Sequence, residues 1–300
     1  MIRIGLVDFD TSHVVAFTQR LNHVGVDPAQ WVESDARVVA GCPGDSTMMP
    51  ERIPGYAEQL RGYGIELVNR PEDLLGKIDA VMIESQQGAR HLERARPFLK
   101  AGLPTFVDKP FAGSLKEADA LIALAEKHRA PLMSCSALRY APEVQQAVAQ
   151  QKDLGKILSA DVWTSAALDP GNPGLLHYGI HGVEVLYALL GPGCARVHDL
   201  STEKGGVTLG LWESSEHVGS VRALRDGQGG FGFAVHYEKG HLTATIEGAA
   251  FYREMLKAVV GMFATGKPPI ALVETREIIA FIEAAARSAS TSASVSVGND

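Results

Sequence analysis

Ile2-Arg3-Ile4-Gly5-Leu6-Val7-Asp8-Phe9-Asp10-Thr11-Ser12-His13 opens the chain as a strand and the tight turn that follows it. The first six of these residues are an apolar run of strand length. Over residues 12–24, Val14, Phe17, Leu21 and Val24 recur at helical spacing, which predicts a helix with one buried face. A strand that turns straight into a helix offers backbone amides and the helix's positive end to an anion. The first such unit of a doubly wound sheet seats a dinucleotide pyrophosphate through G-x-G-x-x-G. Here the three glycine positions carry Asp8, Asp10 and His13.

Two physical effects make that substitution matter. Glycines let the backbone approach the phosphates with no Cβ in the way. A carboxylate ~5 Å from a phosphate, at an effective dielectric of ~20, costs ~3 kcal/mol, which is roughly a hundredfold in affinity. The helix N-terminus returns only ~0.3–1 kcal/mol. A bound pyrophosphate therefore requires Asp8 and Asp10 to be turned away or neutralised. Asp10 also has the chemistry of a helix cap, ahead of Thr11 and Ser12. An acid at the end of the second strand normally holds the adenosine ribose. The nearest match here is Pro43, and Asp45 reaches that place only after a bend; it favours NAD over NADP.

Outward from this turn, strands and helices alternate. Residues 37–42, 66–68, 80–83, 105–107 and 132–134 read as strands. Residues 56–63, 89–101 and 114–128 read as helices, the last opened by a Ser114/Glu117 capping box, and residues 71–75 as a helical turn. Residues 25–35 read as a loop insertion. This rhythm predicts a parallel, doubly wound sheet whose ligands bind outside the carboxyl ends of the strands. After a strand at 157–165, a Pro/Gly-rich loop at 168–174 and a helix at 182–190, the pattern changes. Alternating segments with Gly-rich turns over 195–247 predict a mostly antiparallel sheet, closed by helices at 251–264 and 273–290. The glycines of residues 227–232 read as a hairpin turn, not a phosphate loop. The Ser/Ala-rich tail from Ser288 reads as a loosely held end. The expected fold is α/β, with a Rossmann-like domain at 1–138 and an α+β domain carrying an open sheet at 139–300.

The chain has 300 residues and a formal net charge of -7 with no basic run, which argues against nucleic acid as a partner. No apolar stretch approaches the ~20 residues that span a bilayer. No signal-peptide pattern is read at the N-terminus. Cys42, Cys135 and Cys194 are far apart and form no C-x-x-C, as suits a reducing cytoplasm, and each reads as a small buried hydrophobe.

Two segments carry candidate chemistry. Asp108-Lys109-Pro110 directly follows a strand, which puts Lys109 at the ligand edge of the sheet. An ammonium there can hydrogen-bond a substrate hydroxyl and stabilise a developing alkoxide. His177-Tyr178-Gly179-Ile180-His181 leads into a helix. If that helix has begun by His177, the two imidazoles share a face four residues apart, and histidine suits proton transfer near neutral pH. With Glu184 three residues on, His177, His181 and Glu184 also have the spacing of a metal site.

Five motifs in order resemble those of the glucose–fructose oxidoreductase/inositol dehydrogenase (Gfo/Idh/MocA) family. Asp108-Lys109-Pro110 with Phe-Ala-Gly-Ser-Leu-Lys-Glu-Ala is similar to its Glu-Lys-Pro signature and next helix. His91 follows the fourth-strand loop. Arg139-Tyr140-Ala141-Pro142 is similar to its Arg-aromatic-x-Pro, and Gly179-Ile180-His181 to its Gly-x-His helix. Gly266-Lys267-Pro268-Pro269 and the helix through Ala284-Ala285-Ala286-Arg287-Ser288 resemble its ending. The resemblance implies hydride transfer between NAD or NADP and a sugar, cyclitol or related polyol. It implies Lys109 as the substrate-orienting lysine and His181 as the acid/base, with His177 beside it. It implies a cofactor seat of Asp8, Phe9, Asp10, Thr11, Ser12, His13, Asp45, Ser85, His91, Asp108 and Lys109, and substrate contacts from Arg139, Tyr140 and His177. It also implies a homo-oligomer formed through the C-terminal sheet.

Three departures stand out. Asp108 replaces the signature glutamate. His177 stands where many members carry an aspartate, so carboxylate support for His181 must come from elsewhere, with Glu184 and Asp169 the candidates. The third is the turn itself. The same scaffold without a dinucleotide would make a non-redox small-molecule binding or regulatory protein. With the histidines on a metal it would make a lyase or isomerase.

Overall fold

Mostly apolar strands of two to seven residues separated by amphipathic helices give the first half of the chain one all-parallel sheet. The computed structural model describes residues 1–212, 216–227, 229–248 and 250–298. The chain divides into two compact units, residues 1–135 with 252–272, and residues 136–251 with 273 onward. In the first unit, β1 (Ile2–Val7), β2 (Ala36–Cys42), β3 (Glu66–Leu67), β4 (Ala80–Ile83), β5 (Thr105–Val107) and β6 (Leu132–Ser134) pair in the order β3-β2-β1-β4-β5-β6. Every pairing is parallel. The connections carry α1 (His13–Asn22), α2 (Ile53–Gly62), α3 (His91–Lys100) and α4 (Leu115–His128). This is the Rossmann strand order, with its reversal between β1 and β4. Ile4, Leu6, Val81, Met82, Ile83, Phe106 and Val107 are fully buried, as a sheet covered on both faces demands. Ser114 caps α4 by accepting from the Glu117 amide, while the Glu117 carboxylate reaches back to the Gly113 amide.

The helix expected over 12–24 is α1, which begins at His13 and ends where His23 turns left-handed at φ 60°. The helices expected at 56–63 and 89–101 occupy Ile53–Gly62 and His91–Lys100.

The second unit begins with α5 (Pro142–Ala149), α6 (Gln151–Leu154), β7 (Ile157–Ser165) and α7 (Ile180–Leu190). Then follow β8 (Arg196–Thr202), β9 (Gly205–Trp212), β10 (His217–Leu224), β11 (Phe231–Tyr237) and β12 (Gly240–Thr245). The chain closes with α8 (Ala250–Thr265), which from Tyr252 belongs to the first unit, then α9 (Leu272–Thr291) and β13 (Val295–Ser296). The sheet order is β12-β11-β7-β10-β9-β8-β13, antiparallel except for β7 beside β10. α7 packs closely on β7 because Gly182 has no side chain; a Cβ there would lie 2.7 Å from Thr164 Cγ2.

Two expectations are corrected. The turn at 227–232 is not a hairpin, because β10 and β11 are not neighbours. β7 lies between them, and the chain crosses its end, where the Ser165 amide donates to Gly230 O and the Gly230 amide to Ser165 Oγ. Gln228 of that turn lies outside the described residues. The C-terminal tail is held, not loose. Ser288 is buried, accepts from the Asp199 amide and donates to Ala293 O, and β13 then pairs with β8.

Among the described residues, no helix is long and apolar enough to cross a membrane. Cys42, Cys135 and Cys194 are buried, as expected, and form no disulfide with one another. Removing the Ser288 hydroxyl leaves the buried Asp199 amide without its acceptor. Ser288→Ala is expected to destabilise the second unit by about 1–3 kcal/mol, read as a lower urea midpoint with an unchanged slope.

Candidate functional site

Three neighbouring strands of the first unit each end on a buried acid. Val7 leads to Asp8, Ile83 to Glu84 and Val107 to Asp108, which sets these carboxyl groups at the carboxyl edge of β1, β4 and β5. That edge, at the reversal between β1 and β4, is where ligands of such sheets bind.

Asp8 takes a left-handed backbone, φ 64°, where the pattern would place glycine. Aspartate tolerates that region better than most residues. Its side chain is turned beneath the chain leaving β2. Gly44 passes so close that a Cβ on it would sit 1.7 Å from Asp8 Oδ1. Ser85 Oγ donates to Asp8 Oδ2 at 2.5 Å, and Arg94 Nε of α3 donates to the same oxygen at 2.9 Å. Burial raises the Asp8 carboxyl above the ordinary aspartate range, against the pull of Ser85 and Arg94. Phe9 is fully buried over Gly41 of β2, where a Cβ would meet its ring at 2.6 Å.

Asp10 does not cap α1. The helix begins after Ser12, which caps with no side-chain bond, and the His13 amide takes Thr11 Oγ1 at 3.3 Å. Asp10 is buried and drawn the other way by two better donors, Ser46 Oγ at 2.6 Å and the Gln86 amide at 3.0 Å. Both acids of the turn are therefore engaged within the protein, Asp8 through Oδ2 alone with Oδ1 buried and without a hydrogen-bond partner, and neither bonds the amides that would face a phosphate. Thr11 is buried and Ser12 is exposed at the start of the helix.

Arg94 also reaches Asp45 through Nη2 at 2.5 Å, and Arg90 Nη2 reaches the same oxygen at 2.8 Å. Partial burial would raise the Asp45 carboxyl, but the two guanidiniums outweigh it and hold it low. A cavity of 340 Å³ opens here, lined by Cys42, Gly44, Asp45, Arg70 and Arg94 among others. It lies beyond the carboxyl end of β2, on the side where adenosine sits in this fold. Asp45 and the cavity thus fit the nucleoside half of a dinucleotide, and both aspartates of the turn are engaged away from the amides that its phosphates would use. His13 fills the third glycine's place with a ring. That ring stacks on Phe17 at 4.8 Å and meets Tyr252 edge-on at 5.4 Å.

His13 Nδ1 lies 2.7 Å from Asp108 Oδ2. Burial opposes ionisation of Asp108, yet His13, with Lys109 behind it, holds the carboxyl below its ordinary range. Glu84 is fully buried and neither carboxyl oxygen has a hydrogen-bond partner. Burial drives its carboxyl well up, and nearby Asp108 and Asp10 add to this. Lys109 follows Asp108 into a cis bond with Pro110; burial pulls its ammonium down, while Asp108 and Asp10 support the charge. His91 is buried and holds the loop after β4 from below, with Nε2 2.7 Å from Ser85 O and Nδ1 3.3 Å from Phe111 O.

In the second unit, α7 begins at Ile180, so His177 precedes the helix and the two imidazoles are not a helical pair. Tyr178 stands beside both, its ring 5.0 Å from that of His177 and 5.6 Å from that of His181. His181 Nδ1 lies 2.6 Å from Ser136 Oγ. Its support is this hydroxyl, not Glu184 or Asp169. Glu184 accepts from Arg139 Nε at 2.9 Å, while Arg139 Nη2 lies 2.6 Å from Glu274. Asp169 accepts from the Gly171 amide within its own loop. Ser136 Oγ also accepts from the Leu138 amide at 3.2 Å, which fixes the hydroxyl oxygen beside the imidazole. Tyr140 is half-buried at the end of the short helical turn Ala137–Tyr140. His177, His181 and Glu184 do not assemble as a metal site. Among the described residues, the donors that converge closely enough are His13, Glu84 and Asp108.

Sequence reasoning missed Arg94, Ser46, Gln86 and Ser136, which act across long sequence distances and carry no local motif. Glu84 had a signal, a carboxylate directly after the wholly apolar strand of residues 80–83.

Arg94→Met leaves the Asp8 carboxylate buried with Ser85 alone. Breaking such a pair costs about 3–5 kcal/mol near neutrality. A carboxyl raised on folding stabilises the fold below its unfolded pKa and loses that contribution as pH rises. The deficit should therefore shrink toward pH 4 and be largely restored at pH 7 by adding Asp8→Asn, read by urea unfolding across pH.

Residues 48–135 match the Gfo/Idh/MocA model, described as an oxidoreductase family with an NAD-binding Rossmann fold. No curated protein matches the chain. Among solved structures, apo scyllo-inositol dehydrogenase from Lactobacillus casei is similar over 100% of this chain and 99% of that one, with a TM-score of 0.81 and 16% identity. An oxidoreductase from Agrobacterium radiobacter, solved with NAD+, L-tartaric acid and magnesium, is similar over 99% and 98%, with a TM-score of 0.80 and 15% identity. GenD2 from gentamicin A biosynthesis, solved with NAD, is similar over 99% and 97%, with a TM-score of 0.81 and 18% identity. At these identities the structures establish a shared fold. Within its Rossmann unit, residues 48–135 are thus similar to the Gfo/Idh/MocA family of oxidoreductases, and the fold of the whole chain is one that these dehydrogenase structures share.

Proposed function

We propose that the protein is an NAD-dependent oxidoreductase acting on a sugar, cyclitol or related polyol. The observation that carries this reading is the turn after β1. Its two aspartates are held by Ser85, Arg94, Ser46 and Gln86, which pairs Asp8 with a guanidinium and engages Asp10 away from the amides a pyrophosphate would use. The cyclitol and hydroxy-acid names of the similar structures support the substrate class.

In this reading residues 8–13 face the pyrophosphate, and Asp45 accepts from the adenosine ribose. Ser85 and His91 shape the loop after β4, and Asp108 sets the position of Lys109. The nicotinamide, when bound, supplies the hydride acceptor or donor. Lys109 orients the substrate hydroxyl and stabilises charge building on its oxygen. His181 exchanges the hydroxyl proton through Nε2, with Ser136 holding Nδ1. Tyr140 and His177 are the substrate-side contacts. Arg139, tied to Glu184 and Glu274, keeps α7 in place beneath them. Three buried cysteines that form no disulfide with one another suit a cytoplasmic enzyme.

The sheet of the second unit also offers a surface for a second copy. Register pairs Leu200 with Val207 and Leu211 with Val218, so Leu200, Leu209 and Val218 emerge on one face, and all three are exposed.

Titration of the purified protein with NADH and NADPH, followed by cofactor fluorescence, should show saturable binding with NADH preferred; no binding at millimolar cofactor sinks the dehydrogenase reading. With an active substrate in hand, His181→Asn should lower kcat by about 10²–10⁴. Ser136→Ala should lower it less and shift the pH profile of kcat/KM. Light scattering should give a mass above one chain, reduced by Leu209→Glu; a monomeric wild type would exclude the oligomer.

A further inference from the structure

We infer that His13, Glu84 and Asp108 form a binding site for a divalent transition-metal cation of the Zn²⁺ or Mn²⁺ kind. The three side chains come from the start of α1 and from the ends of β4 and β5. One donor atom from each lies within 4.8 Å of the other two. This goes beyond the oxidoreductase reading and does not rest on it.

The strongest observation is Glu84. A carboxyl group is costly to bury, and a fold that buries one normally pairs it. Glu84 has no exposed surface, neither oxygen has a hydrogen-bond partner, and the side chain is aimed at His13 and Asp108. Arg94, the nearest guanidinium of the turn, is engaged with Asp8 and Asp45 instead.

The geometry needs little change. Ligand atoms bound at about 2.0–2.2 Å around a tetrahedral metal lie about 3.2–3.6 Å from one another. His13 Nδ1 and Asp108 Oδ2 stand at 2.7 Å and would part slightly; Glu84 would close the remaining gap. Metal-bound histidines usually donate their other ring nitrogen to a fixed acceptor. Tyr252 OH lies 3.3 Å from His13 Nε2 in that role. The ring itself is fixed between Phe17 and Tyr252. One imidazole with two carboxylates suits Zn²⁺ or Mn²⁺ better than Mg²⁺ or Ca²⁺, which prefer all-oxygen sets. Three protein ligands leave a coordination position open, the pattern of metals that bind water or a substrate oxygen.

The full-length protein, stripped with chelator and dialysed, is titrated by calorimetry with Zn²⁺ and Mn²⁺ alone and with Mg²⁺ and Ca²⁺ for comparison. The expected result is one equivalent of Zn²⁺ or Mn²⁺ per chain, at least tenfold tighter than Mg²⁺ or Ca²⁺. Glu84→Gln and Asp108→Asn should each weaken it tenfold or more. His241→Gln, which removes one member of the His236/His241 pair on the sheet of the second unit, should leave it unchanged. Thermal melts with and without metal show that each variant is folded. No binding at millimolar Zn²⁺ and Mn²⁺ overturns the proposal, as does binding that persists in both Glu84→Gln and Asp108→Asn. NADH titration of the same samples keeps the two readings apart: metal without NADH defeats only the dehydrogenase, NADH without metal only this site.

Discussion

The buried contact of Asp8 with Arg94 and Ser85 is the constraint on which the rest of the first unit's ligand edge depends. A carboxylate in the place of the first glycine would repel an anion and crowd the backbone. The fold removes both problems by turning the side chain under the chain that leaves β2, where Gly44 makes room, and by bringing Arg94 from α3 to meet it. The ion pair need not add net stability, since desolvation opposes the Coulomb gain. It sets a geometry: with Arg94 on Asp8 and Asp45, the turn, the end of β2 and the start of α3 become one hydrogen-bonded assembly.

The glycine that the turn has lost thus reappears elsewhere as a requirement. Gly44 at φ 64° leaves room for the Asp8 carboxylate, and Gly41 leaves room for the Phe9 ring. The close approaches that a glycine turn would offer a pyrophosphate are here made partly by the protein to itself. Asp10, His13 and Asp108 follow the same logic, each engaged by a partner from another loop or helix. Glu84 does not, and that exception gives the edge its chemical interest.

In the second unit, an alcohol does the work expected of a carboxylate. Ser136 orients the His181 ring without adding negative charge. Glu184, which sequence position alone made a candidate for that support, is claimed by Arg139, a cation that needs burial partners of its own.

Local sequence determined most of the architecture. Apolar runs at 2–7, 80–83 and 105–107 and the helical stripes between them required a parallel sheet, because each such segment hides its apolar side only against another layer. The motif order from Asp108-Lys109-Pro110 to the Gly179-Ile180-His181 helix was equally legible, and with it the expectation that Lys109 and His181 carry chemistry. Only the tertiary structure decided what the acids of the turn do. Asp8 meets Arg94 across 86 positions, and His13 meets Asp108 across 95. Ser136 meets His181 across 45. The strand order likewise put β7 between β10 and β11 and turned an apparent hairpin into a crossing. Periodicity reports which face of a segment is buried. Which charge neutralises which depends on distances that exist only once the strands have chosen their neighbours.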